Sequence, residues 1–180
     1  TLSWLNAHQQ IVQSNLVMNL DAGNSSSYSG SGSVWVDLSG NGNDGTLINN
    51  PSYSNSSGGS LVFDGSNKVD CGNNSSLQIT EGTITAWFKA TNGNYGYHGI
   101  IAKQLAWGLF VYDNVLVTYD WGNNVQGNTG ITVGNDTWYY AAMTFTETIG
   151  NPSNNAIIYL NGTSVLTTTV KHNNNSVSVQ

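Results

Sequence analysis

Short apolar or alternating runs, separated by clusters of Asn, Gly, Ser and Asp, constrain the fold more than any other feature of this sequence. The runs are rich in Val, Ile, Thr and aromatic residues, as strands are, and no long amphipathic helical pattern lies between them. Many short strands at hairpin spacing predict an all-β antiparallel sandwich. The predicted strands are 16–21, 33–37, 45–48, 60–64, 67–71, 83–90, 98–103, 106–113, 115–121, 129–133, 137–146, 156–160 and 163–170.

The first fifteen residues follow a different pattern. Leu2, Leu5, Ile11 and Val12 have loosely helical spacing, which predicts a short helix or an arm over 1–15. A chain of 180 residues is long enough for one sizeable core and short for two. We therefore predict one sandwich domain over 16–180. Because the first residue is not Met, we expect a processed or partial product.

Charged residues are sparse. The chain has four Lys and Arg residues, ten Asp and Glu residues and a formal net charge of -6. A nucleic-acid partner requires clustered basic side chains, and so does attraction to anionic lipid. No apolar run approaches the length of a membrane span. We expect no nucleic-acid partner and no membrane insertion.

Two hairpin turns can be placed from the sequence. Asn161-Gly162 is a strong signal, because both central positions of a type I′ turn need positive φ. A second turn at Asp113-Asn114 places Phe110, Tyr112, Val115, Val117 and Tyr119 on one face, which we interpret as core. The opposite face, with Trp107, Leu109, Val111, Leu116, Thr118 and Asp120, is then predicted to be open to a ligand.

The loop "DLSGNGND", residues 37–44, resembles the first half of a calcium-binding loop. Asp37, Ser39, Asn41 and Asn43 alternate, and Gly42 permits a sharp turn. Ile48 stands where an EF-hand needs its bidentate glutamate, so the remaining oxygens would come from Asp44 or Asp21. The alternative is a tight turn between strands, because Asn, Asp, Gly and Ser bond their own backbone in turns.

Seven motifs occur in order between about residues 16 and 170: "LVMNLDAGNSSSY", "WVDLSGNGNDGTL", "SLVFDG", "GTITAWFKA", "IIAK", "TWYYAAMTF" and "IIYLNG". Their order resembles laminin-G-like modules of the concanavalin A-like lectin and glucanase superfamily, as carried by phage virion proteins and bacterial surface proteins. The resemblance implies a jelly-roll sandwich of two antiparallel sheets, with binding of glycans or proteins. It also implies a calcium site at the rim, formed here by Asp37, Asn41, Asn43 and Asp44.

The chain departs from this family at its end. Family members finish with a strand resembling "GxIDEVRIYNRAL", whereas this sequence ends with "NNNSVSVQ". An unpaired sheet edge is a liability that proteins cover. We expect the gap to be filled by a segment beyond Gln180, by the arm 1–15, or by a strand from a neighbouring copy.

Two non-catalytic functions follow. The first is a surface module on a virion or in the extracellular space that binds a glycan or receptor. Its candidate ligand-binding residues are four aromatic residues and a histidine, which lie in or beside the stretches 92–99 and 120–128: Trp107, Trp121, Tyr95, Tyr97 and His98. The alternative is that these aromatic residues are part of the core, because the core of a sandwich contains many of them. The second is a structural decoration, fibre or spacer with no small ligand, whose partners would be a capsid, a fibre or neighbouring copies.

An enzyme is the least favoured class. Glycoside hydrolysis needs two carboxylates flanking the scissile bond, and the glucanase pattern "ExDxxE" is absent. Glu81 and Glu147 are the only glutamates, and each stands alone. His8, His98 and His172 lie in no "HExxH" or "GxSxG" context.

Overall fold

The computed structural model describes residues 11–91, 93, 95–146, 154–170 and 177–180. Nearly all regular structure in these residues is β, with two short 3-10 turns at Ser56–Gly58 and Ser75–Leu77. No helix among them is long and apolar enough to span a membrane. The strands are β1 (Val34–Trp35), β2 (Gly45–Ile48), β3 (Ser52–Ser54), β4 (Ser60–Val62), β5 (Lys68–Asp70), β6 (Gly82–Ala90), β7 (Tyr97–Lys103), β8 (Trp107–Tyr112), β9 (Val115–Asp120), β10 (Val125–Thr132), β11 (Thr137–Phe145), β12 (Ala156–Leu160) and β13 (Thr163–Thr168).

The chain divides into two compact units, Thr1–Leu77 and Gln78–Gln180. In the first unit, β1, β2 and β5 form an antiparallel sheet, and β3 pairs with β4. Leu47, Val69 and Leu77 are buried there. The predicted strand 16–21 does not form. Its backbone is instead bonded by the loop 37–43, for example from Leu38 N to the carbonyl of Asn19 at 2.9 Å.

The second unit contains two four-stranded antiparallel sheets. One has the order β10-β9-β8-β7 and the other β13-β12-β11-β6. Side chains from the two sheets meet in a common core. Trp107 stacks on Phe145 at 6.2 Å between ring centroids, and the Thr118 hydroxyl donates to Met143 Sδ at 3.4 Å. The prediction of an all-β, two-sheet antiparallel sandwich is confirmed.

The β8–β9 hairpin has the predicted turn but the opposite orientation. Asp113 and Asn114 both have positive φ, 47° and 67°, and Phe110 pairs with Val117 as expected. The face that carries Trp107 packs against the other sheet, so this tryptophan is 2% exposed. The prediction that Trp107 lies on an open ligand face is therefore wrong. Both faces of this hairpin are apolar, and alternation alone does not show which one a second sheet covers.

The second predicted turn is also confirmed. Asn161 and Gly162 have φ of 50° and 82° and join β12 to β13.

The C-terminal residues pair with the edge strand β7. Ala102 and Gln180 exchange backbone hydrogen bonds of 2.7 and 2.8 Å. Buried Lys103 donates from Nζ to the carbonyl of Val177 at 2.6 Å, and burial lowers the pKa of this lysine.

The last four residues thus cover part of the β7 edge from within the chain. The predictions for the arm and for the closing strand stay predictions, because residues 1–10 and 171–176 lie outside the described part. The domain prediction for 16–180 also stays a prediction.

Replacing the buried indole tests the orientation of the hairpin. Trp107→Ala removes a large core side chain, so we expect a loss of about 3–5 kcal/mol in the free energy of unfolding, measured by urea denaturation. Trp87→Ala, at a tryptophan that is 68% exposed, is the matched control and should cost less than about 1 kcal/mol. Equal losses in the two variants would contradict this orientation.

Candidate functional site

The outer side of the β7–β10 sheet carries a cluster of aromatic side chains. Alternation places every second residue of each strand on this side, away from the core. Within the hairpin register, Phe110, Tyr112 and Tyr119 share this side, although the sequence pattern favoured them as core. We call the following residues the aromatic face: Tyr97, Phe110, Tyr112, Tyr119 and Trp121.

The rings of the aromatic face contact one another in a continuous network. Tyr97 lies 4.4 Å from Tyr112 between centroids, and it meets Phe110 and Tyr119 edge-on at 5.8 Å each. Trp121 meets the same two rings, at 5.9 Å from Phe110 and 5.4 Å from Tyr119. Edge-to-face pairs at these distances are favourable and hold rings in fixed orientations. The face is a preorganised surface, with Tyr97 still 48% exposed.

Amide side chains border the aromatic face along β10. Gln126 pairs with Tyr119 in the strand register and donates from Nε2 to the Tyr97 hydroxyl at 2.8 Å. Asn128 donates in turn to Gln126 Oε1 at 3.2 Å. The Tyr119 hydroxyl donates to Asn124 Oδ1 at 2.5 Å. Amide groups that both donate and accept hydrogen bonds therefore stand beside exposed ring surface, and none of these residues is charged.

A buried carboxylate shapes the turn that follows Trp121. Asp120 is on the core side of β9 and 3% exposed. Its Oδ1 accepts from the backbone N–H groups of Gly122 and Asn123 at 2.9 and 3.1 Å, and its Oδ2 accepts from Asn123 Nδ2 at 2.8 Å. These bonds fix the chain directly after the tryptophan, so Asp120 acts as a positioning residue for Trp121.

The loop before β7 contributes less to the aromatic face. Asp113, at the tip of the β8–β9 turn, accepts from Gly96 N at 2.9 Å and anchors this loop. Tyr95 is 83% exposed, and its carbonyl lies 3.1 Å from His98 Nε2. Among the described residues, no ring pair joins Tyr95 to the aromatic face, and His98 pairs with Val111 in the strand register.

The predicted ligand-binding residues are thus separated by the fold. Tyr97 and Trp121 belong to one network, Tyr95 and His98 lie in the adjacent loop and strand, and Trp107 is in the core. The sequence prediction missed Phe110, Tyr112, Tyr119, Gln126 and Asn128. A signal was present in the sequence, because Tyr119 and Trp121 are two residues apart within the predicted strand 115–121 and so share one side of it.

The second candidate site is the loop 37–44 in the first unit. The Asp37 carboxylate is 6% exposed and accepts four hydrogen bonds. Oδ1 accepts from the backbone N–H groups of Asn19 and Ser39, at 2.8 and 2.9 Å. Oδ2 accepts from the Ser39 hydroxyl at 2.7 Å and from Asn43 N at 3.0 Å. This carboxylate joins the loop to the segment 16–21.

The other predicted calcium ligands are also engaged. Asp44 Oδ1 accepts from Asp37 N at 2.7 Å. Asn41 and Asn43 both direct their amide nitrogens to the carbonyl of Val17, at 3.2 and 2.8 Å. Asn43 Oδ1 accepts from the Ser76 hydroxyl at 3.1 Å.

A calcium ion needs six to eight converging oxygens. No group of three or more His, Cys, Asp or Glu side chains suited to a metal occurs in the part of the chain that the structure describes. The contacts of Asp37, Asn41, Asn43 and Asp44 are those of a hydrogen-bonded turn. The calcium prediction stays a prediction that chelation can test.

Comparisons with known proteins support the fold class. The chain is similar to a solved structure described as domain 4 of AbnA, a GH43 extracellular arabinanase from Geobacillus stearothermophilus, in complex with arabinotriose. The TM-score is 0.58 at 15% sequence identity, and the match covers 79% of this chain and 75% of that chain. At this identity the likeness shows the sandwich fold alone. No protein-family model matches the sequence, and no curated protein matches it.

Acid titration tests the role of Asp37. Burial opposes ionisation of this carboxyl, but the hydrogen bonds from Asn19, Ser39 and Asn43 together lower its pKa below the ordinary 3.8. A lowered native pKa gives stability that is present above the unfolded-state pKa and is lost as the pH falls through the native pKa. Asp37→Asn should therefore destabilise the protein at pH 7, by about 1–3 kcal/mol, and flatten the decline in stability below about pH 4.

Urea denaturation at pH 7 and pH 3 measures both effects, with Glu81→Gln as the exposed-carboxylate control. Cys71, the single cysteine, is buried in the same unit, so its rate of labelling by a thiol reagent at pH 7 reports opening of that unit.

We expect the melting temperature of the wild type to be the same in calcium and in chelator. A fall in chelator that Asp37→Asn abolishes would establish the calcium site instead.

Proposed function

We propose that this chain is a non-catalytic binding module that holds an uncharged glycan on its aromatic face. The observation that carries the proposal is a preorganised network of aromatic rings, partly exposed and bordered by hydrogen-bonding amides without charge. A sugar ring has apolar C–H surfaces and a polar hydroxyl edge. Stacking on Tyr97 or Trp121 fits the C–H surface, and the amides of Gln126 and Asn128 fit the hydroxyls.

The likeness to domain 4 of the arabinanase supports the same function. That domain has a similar fold and was solved with arabinotriose, a short neutral saccharide. The net charge of -6 also disfavours polyanionic ligands such as nucleic acids. A neutral oligosaccharide or polysaccharide is therefore the proposed ligand class.

We assign no hydrolytic step to the aromatic face. Cleavage of a glycosidic bond needs two carboxyl groups on either side of that bond. Asp120 points into the core and its oxygens hold the 120–124 turn. Asp113 lies at a hairpin tip and accepts a bond from Gly96. A binding role needs only the rings and the amides and does not require a pair of carboxyl groups.

The proposed location follows from the proposed ligand. Polysaccharides are presented on cell surfaces and in the extracellular space, so we place the module there or on a virion surface that must attach to a cell. Capsid, fibre or neighbouring copies of the chain are the partners that such a location would provide.

Truncating Tyr97 or Trp121 should weaken glycan binding. Trp121→Ala and Tyr97→Ala each remove stacking area from the centre of the proposed interface, so we expect about a tenfold or greater rise in the dissociation constant of the aromatic face, or roughly 1.4 kcal/mol. The measurement is binding to an array of uncharged saccharides that includes arabinotriose, followed by calorimetry with the best ligand.

The matched control is Tyr53→Ala, a surface tyrosine of the other unit that is 36% exposed. Its glycan affinity should equal that of the wild type. If the wild type binds no saccharide on the array, the module is instead a structural decoration or spacer. If Trp121→Ala and Tyr97→Ala bind normally, another surface carries the ligand.

A further inference from the structure

A second set of aromatic side chains lies on the outer side of the other sheet. In β6 and β11, alternate residues such as Ile84, Ala141 and Met143 face the core, so their neighbours face outward. The outward positions of β6, β11 and β12 carry four aromatic residues in adjacent strands. We call these residues the second aromatic face: Trp87, Trp138, Tyr140 and Tyr159.

Trp87 is the most exposed tryptophan of this face. Its side chain is 68% exposed, although it pairs directly with Tyr140 in the strand register. The two rings lie 5.3 Å apart between centroids and are tilted by 44°. Tyr140 is held further because its backbone N–H donates to Asn161 Oδ1 at 2.9 Å. The pair therefore presents a large, partly fixed ring surface to solvent.

The charges on this face balance locally. Lys89 Nζ lies 3.9 Å from Asp136 Oδ1 and 5.9 Å from the ring centroid of Trp138. A paired cation does not form the clustered basic surface that a nucleic acid or an anionic lipid needs. Thr83, Thr85 and Thr144 alternate along the same side and supply hydroxyl groups. The face thus repeats the chemistry of the first one, exposed rings beside uncharged hydrogen-bonding groups.

We propose that the second aromatic face is an additional binding site for an uncharged glycan, with Trp87 as its main stacking residue. This inference rests on the proposed function and extends it. Outer faces of two stacked sheets point in opposite directions, so one glycan segment does not reach both. The module is therefore bivalent and links two glycan chains, or binds an insoluble glycan with avidity.

The test compares Trp87→Ala, Trp121→Ala and the double variant on the same array of uncharged saccharides, arabinotriose included. We expect each single variant to keep wild-type affinity only at its intact face, with half the wild-type number of high-affinity sites in calorimetry, and the double variant to keep no high-affinity site. A soluble polysaccharide that the wild type binds should become turbid on mixing with the wild type and stay clear with either single variant. Tyr53→Ala is the control, and an unchanged urea midpoint shows that each variant is folded.

The outcomes separate this inference from the proposed function. If Trp121→Ala alone abolishes all binding and Trp87→Ala binds with unchanged stoichiometry, the second site is wrong and the proposed function stands. If the wild type binds nothing on the array, both fail. If sedimentation shows that Trp87→Ala converts a dimer into a monomer while glycan stoichiometry is unchanged, the face is occupied by a second copy, and the inference is overturned.

Discussion

The two-residue turn at Asp113-Asn114 sets the register on which the candidate site depends. Both residues adopt positive φ, so the strands reverse within two residues and Tyr112 pairs with Val115. A shift of one residue would exchange the two faces of a strand. With the observed register, Trp107 and Leu109 enter the core together with Thr118, and Phe110 joins Tyr119 outside. The turn sets which residues share a side of the hairpin, and the facing sheet covers the side that carries Trp107. The aromatic face is the side that remains outside.

Buried carboxylates serve as structural anchors in both units. Asp37 joins the loop 37–43 to the segment 16–21, and Asp120 holds the turn after Trp121. Backbone N–H donors take the place of water around each carboxyl group, and these hydrogen bonds compensate for its burial. A sequence with few basic residues has few salt bridges available for this purpose. In this chain, carboxylate oxygens that accept hydrogen bonds from backbone N–H groups hold the irregular segments in place.

Both outer faces of the sandwich carry aromatic rings beside uncharged hydrogen-bonding groups, amides on the first face and hydroxyls on the second. On the β7–β10 sheet the rings contact one another, and on the β6–β11 pair Trp87 remains mostly exposed. Exposed aromatic area is unfavourable in water unless a partner covers it. Neutral saccharides are suited to such surfaces because their apolar and polar parts are interleaved. The same physical argument therefore applies to both sides of the second unit.

The sequence by itself determined the fold class, most of the strands and both hairpin turns, because alternation and turn residues act through local backbone geometry. It did not determine which side of the β8–β9 hairpin is core, since both sides carry apolar residues and only the facing sheet distinguishes them. The alternating polar residues of the loop 37–44 likewise left both an ion site and a tight turn open. Only the tertiary structure decided what those oxygens meet, because donors from Asn19 and Ser76 approach from distant parts of the chain.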